Sequence, residues 1–396
     1  MKIAISKSHL RIAIQLLGAV FALGCGSTDL TRSDSASPAS RERAASDSGA
    51  TDGSDQATAA NGADPSSSSA LNPPAKTAAN QAARRVVGYL PVYRSLDPSA
   101  VDLDTLTHLN IAFALPKTVG SELTIDFSQG QGQIVDLVAA AHKKNVKVLA
   151  AIGGGSRVDA LAVADALSSD SVRFVDSTVA LLAKYDFDGI DIDIEGEFIV
   201  PDTYEKLVNG LVANLPAGKL LTAAVGNNLR ANYRALDKLD FLNVMSYDQC
   251  GACSAPSPHS TYEQAELDLK YWSSGYWQEK EGRGVYDKSR VVLGVPFYGY
   301  CWGLGCSQTA GGPGQAGPVP YFQLSAFWSA SKPDREEPIP DVLKDDAKGY
   351  EVSLNGPETI GLKAMLAKNY GGIMIWELGQ DAIGPSSLFS VIRNTR

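Results

Sequence analysis

The chain has 396 residues, of which 44% are hydrophobic and 20% are charged, proportions typical of a globular protein. This length accommodates two or three domains of ordinary size, or one barrel-sized domain with extensions. The formal net charge of −9 argues against a nucleic-acid partner, because phosphate backbones are bound by basic patches.

The N-terminal residues have the pattern of an export signal. Three basic residues precede the apolar run 12–23, which is shorter than a membrane span and fits the core of a signal peptide. The run leads to Cys25 in a context similar to a bacterial lipoprotein signal, in which the cysteine becomes the lipidated N-terminus. Residues 1–25 therefore predict an exported protein: a cell-envelope lipoprotein with lipidated Cys25, or a secreted protein after ordinary signal cleavage. No other membrane contact is expected.

Residues 26–83 differ in composition from the rest of the chain. They are rich in Ser, Ala, Asp and Gly and contain no aromatic residue. Such a segment buries too little apolar surface to offset its ordering entropy, so we predict a disordered linker. In the coil regime its ends lie on the order of 40 Å apart. Residues 84–396 are predicted to form the folded domain.

Eight short apolar segments in this domain are predicted strands: Val86–Pro91, His108–Ala114, Val146–Ile152, Gly189–Ile194, Leu220–Ala224, Phe241–Ser246, Val291–Pro296 and Gly372–Trp376. Amphipathic segments between them are predicted helices: Gln133–Lys144, Val172–Lys184, Tyr204–Ala213, Tyr262–Ser273 and Glu358–Tyr370. Alternating strands and helices favour an α/β fold with a parallel sheet covered by helices. Eight units in this length predict a (β/α)8 TIM barrel, and an open doubly wound sheet is the alternative.

Glycines 153–155 follow a predicted strand, but their spacing matches neither a dinucleotide-binding fingerprint nor a P-loop. We therefore expect no nucleotide cofactor.

The segment 187–195 contains three carboxylates that are candidates for acid catalysis. Asp191, Asp193 and Glu195 are spaced by two, so on a strand they share one face, while the isoleucines between them face the covering helices. The acidic face then lines the barrel, with Glu195 at the C-terminal mouth where barrel active sites lie. Desolvation and like charge favour the protonated forms, which suits a group that must protonate a leaving oxygen. A calcium site or a solvent-facing strand is the alternative.

Besides Cys25 the sequence has four cysteines, at positions Cys250, Cys253, Cys301 and Cys306. An even number in an exported chain predicts two disulfides, whose connectivity the sequence does not determine. Zinc held by four thiolates is the alternative, and we expect no metal.

In the carboxylate segment 187–195 the sequence resembles glycoside hydrolase family 18, the chitinases and related endo-β-N-acetylglucosaminidases. The segment Asp188–Glu195 matches the family signature Asp-Gly-x-Asp-x-Asp-x-Glu. Further family-like motifs follow in family order and together span residues 86–381: Gly88–Pro91, Asn110–Phe113, Met245–Asp248, Gly294–Gly299 and Gly371–Glu377.

The resemblance implies a (β/α)8 barrel and substrate-assisted hydrolysis, in which the sugar's acetamido oxygen attacks its own anomeric carbon. It implies that Glu195 protonates the glycosidic oxygen and later activates water. Asp193 would orient the acetamido group, Asp191 would support Asp193, and Tyr247 would donate a hydrogen bond to the acetamido oxygen.

Six further residues are candidates for substrate binding: Trp376, Asp248, Tyr298, Tyr89, Phe113 and Met245. The resemblance implies that Trp376 forms the apolar floor under the sugar, Asp248 contacts it and Tyr298 lies beside the cleft. Tyr89, Phe113 and Tyr298 could equally belong to the barrel core. Trp302 follows the seventh strand and could bind sugar or be structural, and His108 is expected to be structural.

Departures of the sequence from the family pattern include the following two. Ala151 stands where the family usually has a serine, so a hydroxyl that could bond Asp191 is missing, and water or Tyr89 is expected to compensate. We expect the segment between Tyr300 and Gly371 to be too short for the full α+β insertion that deepens the groove of some chitinases. We therefore expect a shallow cleft that favours internal cuts.

The predicted function is hydrolysis of β-1,4 bonds in chitin or chito-oligosaccharides by an endo-acting, monomeric enzyme without a cofactor. One alternative is an endo-β-N-acetylglucosaminidase acting on N-glycans. Another is an inactive chitin-binding lectin, although such lectins typically lack one of the acidic residues present here.

Overall fold

The computed structural model describes residues 84–195, 200–226, 233–249, 255–273, 287–303, 306, 317–331 and 337–395. The predicted signal and linker, with Cys25, lie outside these residues. So do Cys250 and Cys253.

The described residues form thirteen strands: β1 (Arg85–Pro91), β2 (His108–Val119), β3 (Glu122–Phe127), β4 (Lys147–Gly154), β5 (Gly189–Ile194), β6 (Leu220–Val225), β7 (Phe241–Val244), β8 (Val291–Pro296), β9 (Tyr298–Trp302), β10 (Gly317–Pro320), β11 (Val342–Asp345), β12 (Tyr350–Ser353) and β13 (Gly372–Trp376). They also form nine α-helices: α1 (Gln131–Lys143), α2 (Arg157–Ser169), α3 (Ser171–Tyr185), α4 (Pro201–Asn214), α5 (Tyr233–Leu236), α6 (Tyr262–Ser273), α7 (Tyr321–Ser331), α8 (Pro357–Ala367) and α9 (Leu388–Thr395). Short 3-10 turns occupy Pro98–Ala100, Lys288–Arg290, Leu378–Gln380 and Gly384–Ser386. Among the described residues, no helix combines the length and apolar character needed to cross a membrane.

Eight of the strands close into a parallel barrel. Their order around it is β1-β2-β4-β5-β6-β7-β8-β13, and β13 pairs back with β1. All eight are the strands predicted from apolar runs, so the (β/α)8 prediction is confirmed and the open doubly wound sheet is excluded. β3 extends the sheet outside the barrel as the antiparallel partner of β2.

The barrel has an inner and an outer core, because successive side chains of a strand point to opposite faces. The outer core lies between strands and helices and includes Ile190, Ile192 and Ile194 of β5. The inner cluster fills the barrel with the buried residues Val87, Tyr89, Ala112, Ala151, Phe241, Val292 and Met374. β5 thus presents its isoleucines to the helices and its aspartates to the barrel interior, as predicted.

Helix α3 shows how the sequence sets element boundaries. Asp170 accepts a hydrogen bond from the backbone N–H of Arg173 at 2.9 Å, which caps the first turn. Asp186 ends the helix with a left-handed φ of 59°, and the chain then turns into the strand that carries the carboxylates.

The segment after β8 corrects one prediction. Strands β9 to β12 form a four-stranded antiparallel sheet in the order β10-β9-β12-β11, and α7 lies between β10 and β11 in the chain. An α+β insertion is therefore present within 298–353, and the expectation that this segment is too short for one was wrong. Three of its strands have only four residues and do not form apolar runs that a sequence pattern can separate from loops.

Candidate active site

Strand β5 brings two carboxylates into the barrel interior and a third to its mouth. Asp191 and Asp193 are buried, with 0% and 3% of their surface exposed. Glu195 directly follows the strand and is partly exposed. The period of two in the sequence thus places these side chains on one face, and the strand direction places Glu195 outermost.

Asp191 is held by three hydrogen bonds. Its Oδ2 accepts from the Tyr89 hydroxyl at 2.5 Å, and its Oδ1 accepts from the Thr222 hydroxyl at 2.5 Å and from Asn243 Nδ2 at 3.2 Å. Burial raises the pKa of Asp191, while the bonds from Thr222, Tyr89 and Asn243 work in the opposite direction. Both oxygens of Asp191 therefore already accept hydrogen bonds from the protein.

Sequence reasoning missed Thr222 and Asn243. Each is the single polar residue of an otherwise apolar strand, β6 (LLTAAV) and β7 (FLNV). That pattern was the available signal, since a buried hydroxyl or amide requires a hydrogen-bond partner. Tyr89, which was expected to compensate for Ala151, does bond to Asp191.

Asp193 differs from Asp191 in having a free oxygen. Within the described residues its buried Oδ1 has no hydrogen-bond partner. Burial, the charge of Glu195 and the charge of Asp191 raise the pKa of Asp193 well above its ordinary value. A buried carboxyl with an unsatisfied oxygen, next to Glu195, can take a polar group of a ligand.

Glu195 has the electrostatics of a proton donor at neutral pH. Burial, and secondly the negative charge of Asp248, raise its pKa to about 7. A glycine makes room for it: a Cβ on Gly155 would lie 2.6 Å from Glu195 Oε1. The loop after β4 thus approaches the carboxyl as closely as only a glycine allows.

Tyr247 and Asp248 lie on the loop after β7. Burial and the charges of Asp193 and Glu195 raise the pKa of Tyr247 well above its ordinary value, so its hydroxyl stays protonated. Asp248 has a left-handed φ of 58°, and its Oδ1 accepts from the Tyr298 hydroxyl at 2.5 Å and the Tyr300 hydroxyl at 3.0 Å. Tyr298 therefore fixes Asp248 and does not simply fill the core.

Trp376 sits at the end of β13 on an aromatic base. Its ring stacks on Phe113 with centroids 5.7 Å apart and meets the edge of Tyr89 at 5.5 Å. Trp376 and Phe113 are partly exposed, whereas Tyr89 is buried. Met245 also packs, partly buried, against the inner cluster. The predicted binding residues therefore gather at the C-terminal end of the barrel, with Tyr89 buried beneath Trp376.

An ion pair secures the turn after Trp376. Arg94 Nε donates to Glu377 Oε1 at 2.7 Å, and Glu377 Oε2 accepts from the backbone N–H of Gly379 at 2.8 Å. The Glu377 side chain is almost fully buried. Sequence reasoning did not single out this pair, which joins the ends of β1 and β13.

The remaining predicted residues lie near the mouth or at the barrel base. Cys301 and Cys306 form a disulfide on the segment that begins the insertion. Trp302 is buried, with its ring 6.0 Å from that of Tyr300. His108 packs against Phe241, and burial with nearby Arg85 lowers its pKa to about 4, as befits a structural histidine.

Taken together, the site can protonate a leaving group with Glu195, hold a polar group of the ligand against Asp193 and Tyr247, and support an apolar ring face on Trp376. Asp193 and Glu195 are two residues apart on the same face of β5, and Asp248 is a further carboxylate whose charge acts on Glu195.

Comparisons with known proteins identify the family of the chain and agree with its barrel fold. The family model described as "Glycosyl hydrolases family 18" matches residues 85–381. Chitinase-3-like protein 2 of Homo sapiens is 26% identical over 344 residues, 72% of this chain and 82% of the relative. Chitinase A1 of Niallia circulans is 26% identical over 292 residues, 60% of this chain, and this match spans only 41% of that longer protein. Among solved structures, the family 18 chitinase of the chitin utilization locus of Flavobacterium johnsoniae has a TM-score of 0.62 and 29% identity, covering 79% of this chain and 93% of its own.

Proposed function

Because the chain belongs to the glycosyl hydrolases of family 18, we propose that it hydrolyses β-1,4 bonds between N-acetylglucosamine units of chitin or chito-oligosaccharides. The observation that carries this proposal is the placement of Glu195 at the barrel mouth, two residues beyond Asp193 and its unpaired Oδ1, where burial raises the Glu195 pKa to about 7.

The reaction proceeds in two steps. In the first, the acetamido oxygen of the bound sugar attacks its anomeric carbon while the glycosidic C–O bond breaks, and Glu195 gives its proton to the leaving oxygen. In the second, the Glu195 carboxylate takes a proton from water as the water oxygen attacks the same carbon and reopens the ring formed with the acetamido group. The configuration is retained and Glu195 is protonated again.

Asp193 and Tyr247 hold the acetamido group during this sequence. The unpaired Oδ1 of Asp193 accepts the acetamido N–H, and the protonated Tyr247 hydroxyl donates to the acetamido oxygen. Trp376 supports the apolar face of the same sugar, and Asp248 contacts its polar edge. These contacts hold the acetamido oxygen close to the carbon that it attacks, so the intramolecular step starts from a reactive geometry.

The experiment offers the full-length protein two substrates in parallel, a soluble N-acetylglucosamine hexamer and a high-mannose glycoprotein, and follows the products by mass spectrometry. We expect shorter oligomers from the hexamer and no change in the glycoprotein. Release of intact N-glycans without oligomer cleavage would assign the alternative endo-β-N-acetylglucosaminidase activity. Oligomer binding without products from either substrate would assign a lectin.

The mode of attack follows from the same product profile. Internal cutting was expected from an open cleft, but the sheet and helix within 298–353 remove that basis. Mixed products at early times indicate endo-action, and a single short product indicates attack from a chain end.

Export is the second part of the proposal, and it rests on the sequence of residues 1–83. We propose that the barrel is tethered to the cell envelope through lipidated Cys25 and the 26–83 linker. Labelled palmitate should be incorporated into the wild-type protein and lost in Cys25→Ala. Absence of label in the wild type would leave ordinary secretion.

A further inference from the structure

Helix α8 contributes a lysine whose burial requires an explanation. Lys363 has 0% of its surface exposed, although lysines are almost never fully buried unless they are paired. Burial lowers its pKa to about 7, against the raising influence of Asp341, Asp268 and Glu263. Burying an ammonium group costs free energy unless the group is hydrogen-bonded, so the contacts of Lys363 indicate its role.

The three hydrogens of the Lys363 ammonium have three acceptors. Nζ donates to the Ser260 carbonyl oxygen at 2.9 Å, to Ser260 Oγ at 2.6 Å and to Asn355 Oδ1 at 2.8 Å. Two of the three bonds thus end on one residue of the loop between β7 and α6. Asn355 itself directs its Nδ2 to the same Ser260 carbonyl at 2.7 Å, so Ser260 is held from two sides.

Ser260 passes this constraint to the residues after β7. Its hydroxyl donates to the carbonyl oxygen of Ser246 at 2.7 Å, and the backbone N–H of Gln249 donates to the carbonyl oxygen of His259 at 3.0 Å. These two bonds bracket Tyr247 and Asp248, the dipeptide that faces Asp193 and Glu195.

The neighbouring His259 constrains Asp248 by packing. Its ring is fully buried and lies 5.2 Å from the ring of Tyr298 and 5.1 Å from that of Tyr300. Both tyrosines donate to Asp248 Oδ1. A shift of the His259–Ser260 segment would therefore disturb the backbone of Tyr247 and the partners of Asp248 together.

We propose that Lys363 is a positioning residue, which holds the His259–Ser260 segment so that Tyr247 and Asp248 keep their places beside Glu195. The inference rests on the proposed function for its consequence in turnover. Lys363 is completely buried behind Ser260, so it acts through the loop and not on the sugar.

The test compares Lys363→Met with a matched variant of the same helix, Thr359→Val. The Thr359 hydroxyl donates to Asp341 Oδ2 at 2.6 Å and has no bond to the His259–Ser260 segment. On the hexamer we expect Lys363→Met to lower kcat about 10- to 100-fold, as displaced catalytic groups do. Thr359→Val should lower the melting temperature while kcat and KM stay at wild-type values.

A second variant covers the possibility that Lys363→Met does not fold. Ser260→Ala removes the hydroxyl that donates to Ser246 and accepts from Lys363, but it leaves the Ser260 carbonyl for Lys363, so it should fold and lower kcat in the same way. If Lys363 acts through this hydroxyl, the variant that carries both substitutions should lose no more activity than the less active of the two single variants. Effects of two substitutions along one path do not add.

A readout without turnover separates this inference from the proposed function. The Glu195 carboxyl can be titrated by carbon NMR in all variants, and a displaced Asp248 should lower the Glu195 pKa in Lys363→Met and Ser260→Ala but not in Thr359→Val. If the wild type fails to cleave the hexamer and this pKa still falls, the proposed function is wrong and the positioning role holds. If Lys363→Met and Ser260→Ala keep both the wild-type kcat and the wild-type Glu195 titration, Lys363 serves stability alone and the inference is overturned.

Discussion

The Thr222 hydroxyl donates a 2.5 Å hydrogen bond to Asp191 Oδ1 inside the barrel. Thr222 lies on β6, and Ala151 lies on β4, the neighbour on the other side of β5. Both residues are register partners of Asp191. The hydroxyl that β4 does not provide is therefore supplied from the opposite neighbour. Support of the carboxylate is preserved although its source has moved.

Loss of this hydroxyl should weaken both the fold and the reaction. We expect Thr222→Val to raise the Asp191 pKa and lower the free energy of unfolding by about 1–3 kcal/mol, the cost of leaving a buried charged group short of a donor. Thr222→Ser, which keeps a hydroxyl, is the control. Adding Ala151→Ser to Thr222→Val should restore part of both losses, as measured by chemical denaturation and by kcat on the hexamer. Failure of any rescue would mean that Ala151 does not face Asp191 as the register indicates.

Replacement of the proton donor should stop turnover without harming the fold. Glu195→Gln is expected to reduce kcat by about 10²–10⁴-fold, the usual contribution of general acid catalysis. Circular dichroism verifies that the variant is folded. Near-normal turnover by a folded variant would refute the proposed mechanism.

The same variant should change how stability depends on pH. The pKa of Glu195 is raised from 4.5 to about 7 in the folded protein, so its protonated form stabilises the fold fully below pH 4.5, and this stabilisation is lost as pH rises through 7. On this basis Glu195→Gln is more stable than the wild type at pH 8, by an amount on the order of 3 kcal/mol, and the difference shrinks towards pH 4. Melting temperatures across this range test it, and parallel curves for the two proteins would contradict the raised pKa.

Asp248 should set the alkaline limit of activity. Glu195 must carry a proton to act as an acid, so kcat should fall above about pH 7. The charge of Asp248 raises the Glu195 pKa, so Asp248→Asn should lower that pKa and move the alkaline limb to lower pH. Tyr298→Phe, which keeps the charge, should leave the limb near its wild-type position. An unmoved limb in Asp248→Asn would show that burial alone tunes Glu195.

Gly155 offers a way to displace Glu195 without touching it. A methyl group at this position would meet Glu195 Oε1 at 2.6 Å, and the backbone of Gly155 is not left-handed. Gly155→Ala should therefore leave the melting temperature close to the wild-type value and lower kcat by up to about 100-fold, because the carboxyl must move. Gly132→Ala, in open space on α1 and without a left-handed φ, controls for a general effect of glycine replacement on activity. Unchanged kcat in Gly155→Ala would mean that Glu195 reaches its working position by another route.

Much of the fold was readable from the sequence because buried parallel strands are continuous apolar runs. The strand β5 and the segments Val291–Pro296 and Gly372–Trp376 were predicted with the bounds that the structure has. The acidic face of β5 followed from a period of two. Such local patterns need no knowledge of which strands are neighbours.

The missed features all depend on neighbours in space. Thr222 and Asn243 matter because their strands place them against Asp191, which strand order and register decide. Lys363 reads as one more polar residue of a helix until the packing of α8 shows that it is buried. The insertion consists of short strands that gain their partners only when 298–353 folds back on itself.

Strand β5 also bears on how this family of sequences can change. Its two faces serve different ends, since the isoleucines bury against helices and the carboxylates enter the barrel. Deleting or inserting one residue between Phe187 and Asp191 would exchange the faces of the strand that follows and send three carboxylates into the apolar layer. Evolution can therefore substitute residues in this segment, but it cannot alter its length by one, because the same count of residues fixes both the stability of the barrel and the position of its acid.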